Sequence, residues 1–158
     1  MTKEEVIADI VAECKARGLS MPEQIAYVLA TVDHETARTF EPVREAFFLG
    51  NRAESYLKKK PYWPYYGRGY VMLTWRRNYD RIGVALGIPL SSEPDRALDH
   101  DVAKFALVYG MKNGLYGNPL TDFIKPGKVD FANARRSVNA LDKSQHIATL
   151  ARSYLRDL

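Results

Sequence analysis

Between Val102 and Met111 the chain leaves a helix no broad polar face. Val102, Phe105, Ala106, Leu107, Val108, Tyr109 and Met111 spread apolar surface over most of its circumference. A helix apolar nearly all round has to be buried. The segment therefore predicts a central helix, started by a cap at Asp99 and ended by Gly114, Gly117 and Pro119. At 158 residues the chain is long enough to enclose it as a single domain, residues 1–158, burying roughly two-thirds of the surface the unfolded chain exposes. No disulfide or metal framework is needed for that. The one cysteine, Cys14, falls in register with Val6, Ile7, Ile10 and Val11 and reads as a small core residue.

The remaining pattern is also helical. Thr2 and Glu5 form a capping box ahead of the apolar positions 6, 7, 10, 11 and 14, and Gly18 supplies a stop. Ser20 and Glu23 repeat the device for a second helix with Pro22 in its first turn and Ile25, Val28, Leu29 and Val32 as its stripe, so that Glu35 falls at or just past its end. From Leu49 to Tyr66 no periodicity stands out, and the stretch reads as a long surface loop. Tyr70 to Leu73 suggests a short strand. A helix starts near Thr74 or Trp75 and stops at Gly87, with Trp75 expected in the core. A turn at Pro126-Gly127 precedes a segment from Phe131 to Val138, and a last helix spans about Lys143 to Leu155. The expected class is mainly α, with at most a small β-hairpin.

Two short motifs carry chemistry on this frame: His34-Glu35-Thr36, and Tyr66-Gly67-Arg68-Gly69 continuing through Leu73-Thr74-Trp75. The first puts a carboxyl group at the end of an apolar helix, where burial favours the uncharged acid. A second carboxyl group, Glu45, follows ten residues later. In unbroken helix that interval would separate the two by about 15 Å. Pro42 disfavours the helical conformation at Glu41, however, so the chain should leave the helix after Thr36 and bring Glu45 back across a groove. Two carboxyl groups of unequal proton affinity across one bond are what glycoside hydrolysis requires. Glu35 is then the general acid and Glu45 the base that deprotonates the attacking water, which Thr74 orients. A separation of roughly 6.5–9.5 Å between the carboxyl groups predicts inversion, a shorter one retention. Glu41 and Glu54 lie in the same region and compete with Glu45 for the base role. Gly67 and Gly69 allow close approach of the backbone to a ligand.

At these residues the chain resembles glycoside hydrolase family 19, a lysozyme-like family of chitinases and endolysins. The match extends through Asn78-Tyr79 to Arg135-Arg136-Ser137-Val138-Asn139. The resemblance implies a lysozyme-like helical fold with a substrate cleft between helical lobes. It also implies catalytic roles for Glu35, Glu45 and Thr74 and sugar contacts for Asn78 and Asn139, to which Tyr66 and Arg68 are added as substrate-binding residues. Two positions depart from the family: Met72 where glutamine is usual, and Ala140 where glycine is usual after the asparagine. The ten-residue interval between the acids and the shortage of cysteine favour the compact phage or bacterial endolysin branch, and with it peptidoglycan over chitin.

The formal charge of +4 and pI near 9.1 suit an acidic polymer. Peptidoglycan is the expected partner, with a chitinase or a non-catalytic wall-binding or virion protein as alternatives. No nucleic-acid motif accompanies the basic and aromatic residues. Neither a cofactor nor a metal is expected, since His34, His100 and His146 are scattered. Nor is membrane insertion. The protein is expected to be a monomer in a host cytoplasm, without a signal peptide, reaching the wall after release or riding on a virion. Tyr62, Trp63, Tyr65 and Tyr66 either stack on sugar or cover the core, and Lys58-Lys59-Lys60 is either a solvated face or a steering patch. Of the pairs Arg76-Arg77 and Arg135-Arg136, one arginine each is expected to meet a carboxylate inside.

Overall fold

The computed structural model describes residues 1–138 and 142–158. Its elements run α1 (Lys3–Ala16), α2 (Pro22–Glu35), β1 (Val43–Arg44), α3 (Ala53–Leu57), β2 (Arg68–Gly69), α4 (Arg76–Leu86), α5 (His100–Asn113), β3 (Ile124–Lys125), β4 (Lys128–Val129) and α6 (Ser144–Asp157). The expected mainly α class holds. The described strands form two antiparallel pairs of two residues each. The chain divides into two compact units, Met1–Phe40 with Leu107–Leu158, and Glu41–Ala106.

In the first unit the Thr2 side chain accepts the Glu5 amide at 3.1 Å, and Val6, Ile10 and Cys14 are buried along α1. The cap of α2 sits one residue later than Ser20 and Glu23 suggest. Gln24 accepts the Met21 amide at 3.1 Å, because the start of the helix is fixed by Pro22 in its first position. From Gln24 to Asp33 every residue of α2 is buried, and its main packing partner is α6. Two polar contacts pin it. Gln24 donates to the Ile124 carbonyl at 2.9 Å, and buried Asp33 accepts the Tyr154 hydroxyl at 2.7 Å from α6. The Pro126-Gly127 turn closes the β3–β4 hairpin, with Ile124 opposite Val129.

The second unit holds three departures from the sequence reading. Phe47–Arg52 forms a 3-10 stretch interrupted at Gly50, and α3 follows, so 49–66 is not all loop. Leu57 packs with Ala46 and Tyr66, and Leu49 and Ala53 join them, an apolar spacing of four too short to show as a periodic run. Tyr70 to Leu73 is a turn instead of a strand: β2 pairs with β1, Val43 opposite Gly69, and Leu73 bonds back to Arg68 around the tip. Trp75 is 42% exposed. Its positive φ of 75° at the start of α4 turns the indole outward to meet the Tyr62 ring edge-on at 5.4 Å. Helix α5 is buried at Val102, Ala103 and from Phe105 to Val108, as its composition requires.

Candidate active site

Glu45 directly follows β1, and the pairing of β1 with β2 continues through it: its amide donates to the Gly67 carbonyl at 2.7 Å, while the Gly67 amide donates to Glu45 Oε1 at 2.9 Å. Its second oxygen, Oε2, accepts the Tyr62 hydroxyl. A carboxylate offers about four lone-pair sites, so two donors fix the group and leave it able to bind water. Gly67 is also the neighbour of Thr74. A Cβ built on Gly67 would stand 3.3 Å from Thr74 Oγ1 and 2.9 Å from Met72 Cβ. Glycine at this position therefore leaves room for the Thr74 hydroxyl beside the residue whose amide holds Glu45. Thr74 Oγ1 is held by donation to the Met72 carbonyl at 2.9 Å. Asn78 in turn donates from Nδ2 to the Thr74 carbonyl at 3.0 Å.

A groove of about 610 Å³ opens beside Glu45, within the range of small-ligand sites. Arg44, Phe47, Leu57, Trp63 and Tyr66 are among its walls. One of these walls, Tyr66, packs against a buried cation. Arg68 lies over the Tyr66 ring at 3.7 Å, donates to the Pro64 carbonyl at 3.0 Å and the Tyr79 hydroxyl at 2.9 Å, and pairs with Asp95 at 3.0 Å. Arg44 donates to the Tyr66 hydroxyl at 2.7 Å and to Asp95 at 2.9 Å. The hydrogen bond from Arg44, reinforced by Arg68, holds the Asp95 carboxyl below its ordinary value. Tyr66 and Arg68 thus have their polar groups engaged within the unit, and Tyr66 is among the residues lining the groove.

In the other unit Glu35 is the last residue of α2, its side chain 19% exposed and its Oε1 3.4 Å from Arg135 Nη1. Arg135 is 2% exposed and donates from Nε to the Asp142 carbonyl at 2.8 Å. The inward arginine expected of the second pair is therefore Arg135. The first pair supplies none, since Arg76 and Arg77 are both exposed and Arg76 meets Asp80 on the surface at 3.7 Å. His34 stands edge-on to His146 at 5.5 Å, and burial holds its ring below the ordinary imidazole value. Thr36 ends the helix, its hydroxyl donating to the Val32 carbonyl at 2.7 Å and accepting the Phe40 amide at 3.0 Å. The chain leaves the helix there, as expected, with Ala37 and Arg38 at positive φ.

Backbone strain concentrates at the same three places. Among the described residues, those other than glycine with positive φ are Ala37, Arg38, Phe40, Ala46, Met72, Trp75 and Lys143. All but Lys143 lie within five residues of Glu35, Glu45 or Thr74. Such conformations cost roughly 1–3 kcal/mol each and persist where the surroundings over-determine them, commonly at functional sites.

The structure thus gathers Glu45, Thr74, Tyr66, Arg68 and Asn78 within Glu41–Ala106 and places Glu35 with Arg135 in the other unit. Asn139 lies outside the described residues. Glu41 and Glu54 are both exposed, and Glu54 pairs with Lys58 at 3.2 Å. Among the described residues no three His, Cys, Asp or Glu side chains cluster closely enough to hold a metal ion. Sequence reasoning missed Tyr62 as the group that orients Glu45, and missed Asp95 as the acid between two arginines.

No family model matches the chain. An inactive chitinase-like protein of Hevea brasiliensis is 39% identical over 61 residues, 35% of this chain and 19% of that protein. An endochitinase of Phaseolus vulgaris is 25% identical over 132 residues, 75% of this chain and 38% of that protein. The chain thus spans well under half the length of these curated relatives. Among solved structures, chitinase C from Streptomyces griseus superimposes with a TM-score of 0.64 at 21% identity, covering 94% of this chain and 69% of that one. The fold is accordingly the mainly α, lysozyme-like fold of that chitinase. The relatives and the structural likeness together support the resemblance to glycoside hydrolase family 19.

Proposed function

We propose that this chain is a glycoside hydrolase that cleaves β-1,4 bonds between amino sugars in peptidoglycan, in the manner of the compact phage and bacterial endolysins. The observation that carries the reading is the arrangement around Gly67: a carboxylate fixed by two donors, a hydroxyl beside the same glycine, and a groove alongside.

In this mechanism Glu35 protonates the glycosidic oxygen as the bond to the anomeric carbon breaks, and the leaving sugar departs as an alcohol. Glu45 takes a proton from a water that attacks the opposite face of the ring, and Thr74 orients that water. The Tyr62 hydroxyl and the Gly67 amide keep Glu45 from rotating during the transfer, which is the positional control that acid–base catalysis depends on. Arg135 fixes the Glu35 carboxyl group in its unit. Inversion is the expected outcome.

A second reading, hydrolysis of chitin, is favoured by the printed names of the sequence relatives. The chain's basic charge favours the acidic polymer instead. Incubating the protein separately with purified sacculi and with chitin hexamers, and following new reducing ends by mass spectrometry, decides between them. Soluble muropeptides with a new reducing sugar support the peptidoglycan reading. Cleavage of the hexamer with sacculi untouched moves the protein to the chitinases, and no product from either substrate leaves a wall-binding role. In the same assay Glu45→Gln should lose far more turnover than Glu41→Gln. The reverse order would transfer the base role to Glu41.

A further inference from the structure

The groove beside Glu45 continues into an exposed aromatic surface that the proposed chemistry leaves unused. Phe47 forms part of its wall yet is 49% exposed. Its neighbour Phe48 is 78% exposed and stands edge-on to it, ring centroids 6.2 Å apart. Scattered apolar residues on a surface are ordinary, but this pair of phenylalanines is in contact and one of the two lines the groove. Trp63 lines the same groove, and Lys58 Nζ lies 5.8 Å from its ring. From residue 44 to residue 60 the chain carries five cations, Arg44, Arg52, Lys58, Lys59 and Lys60; Arg44 is paired with Asp95 and Lys58 with Glu54, so Arg52, Lys59 and Lys60 are the cations outside those pairs.

We infer that the Phe47-Phe48 turn, with Arg52 and Lys58 to Lys60, is a binding surface for the acidic peptide stems carried by peptidoglycan glycan strands. The inference rests on the proposed function and sharpens it, because the stems are what distinguish this polymer from chitin. Chitin is uncharged and offers the excess cations no partner. A stem presents carboxylates to them, and the methyl groups of its lactyl and alanyl units give the two phenyl rings an apolar surface to cover. Continuity with the groove supplies the geometry: a strand seated at Glu45 carries its stems past Phe47. Exposed ion pairs contribute little individually. The phenylalanines therefore carry most of the affinity, and the cations select for charge and speed encounter.

The test is equilibrium cosedimentation of the full chain, in the cold, with three probes: purified sacculi, the same sacculi stripped of their stems by an amidase, and phosphatidylglycerol vesicles. Wild type is compared with Phe48→Ala and with Lys59→Glu, each checked for native circular dichroism. The expected result is binding to intact sacculi weakened by about five-fold in Phe48→Ala, the loss typical of a contributing interface residue, and by about two-fold in Lys59→Glu, as an exposed ion pair allows, with no difference between the proteins on stripped sacculi. Equal binding of wild type and both variants to intact sacculi would overturn the inference. So would variant-sensitive binding to the vesicles in place of the sacculi, which would assign the surface to an anionic membrane. Because binding is read without turnover, a protein that shows the variant effect but releases no reducing ends fails the catalytic reading and keeps this surface. Hydrolysis without any variant effect does the reverse.

Discussion

Tyr62 holds one oxygen of Glu45 and packs its ring edge against Trp75, so its hydroxyl and its ring do separable jobs. Tyr62→Phe keeps the ring contact and frees the carboxylate to turn away from the Gly67 amide. We expect kcat to fall by about 10- to 100-fold with KM nearly unchanged, the size of loss that a small misplacement of a reacting group produces. Steady-state kinetics on a soluble substrate checks it, and an equal loss through KM would assign Tyr62 to sugar binding instead. Tyr27 presents the opposite situation. Its ring stacks with Phe131 at 6.2 Å, but its buried hydroxyl has no hydrogen-bond partner among the described residues. An unsatisfied buried polar group costs about 1–3 kcal/mol, so Tyr27→Phe should raise the urea midpoint by an amount worth roughly 1 kcal/mol without changing the slope. At this scale the position of His34-Glu35-Thr36 at the end of α2 was readable, because a contiguous motif falls on one helix terminus. Tyr62 was unreadable because its role depends on a seventeen-residue excursion folding back on Glu45, and nothing in local spacing encodes that return.

The elements that sequence reading placed well, α1, α2, α5 and α6, are the long ones, of 14 residues each. Those it misplaced are short. Helix α3 spans only Ala53–Leu57, and β1 and β2 comprise two residues each. Such pieces are stabilised by tertiary contact more than by propensity, so their signal lies in partners distant along the chain. Asp95 shows how one partner joins several elements, since its carboxylate accepts from Arg44 of β1 and Arg68 of β2. Both arginines favour its charged form, and its folded pKa lies below the ordinary 3.8. A depressed carboxyl pKa contributes stability that is complete above the unfolded value and is lost as pH falls through the folded value. Thermal melts of wild type should therefore weaken below about pH 4, and Asp95→Asn should be less stable at neutral pH but show a shallower loss through that acid range. Identical acid limbs in the two proteins would remove Asp95 from the pH response.

For the whole molecule the relevant quantity is charge. On the proposed peptidoglycan reading, a formal +4 on 158 residues would draw the protein to the acidic polymer over distances that salt screens, with a Debye length of about 10 Å at 0.1 M and about 3 Å at 1 M. KM for sacculi should accordingly rise between those two salt concentrations, while turnover of uncharged chitin oligomers, if any, stays level. A salt-independent KM would mean that contacts in the groove, not net charge, set affinity. The fold class was legible at this scale because mainly helical periodicity survives averaging over the chain. The division into two units was not, since it follows from which distant segments meet.

In the proposed mechanism everything depends on Glu35 supplying the proton that breaks a glycosidic bond. Its most direct test is digestion of purified peptidoglycan by wild type and Glu35→Gln side by side, with products identified by mass and new reducing ends counted. Muropeptides with a new reducing sugar are expected from wild type and essentially none from the variant, whose circular dichroism and melting midpoint stay close to wild type. Activity in Glu35→Gln within a few-fold of wild type would contradict this expectation and remove Glu35 from the mechanism.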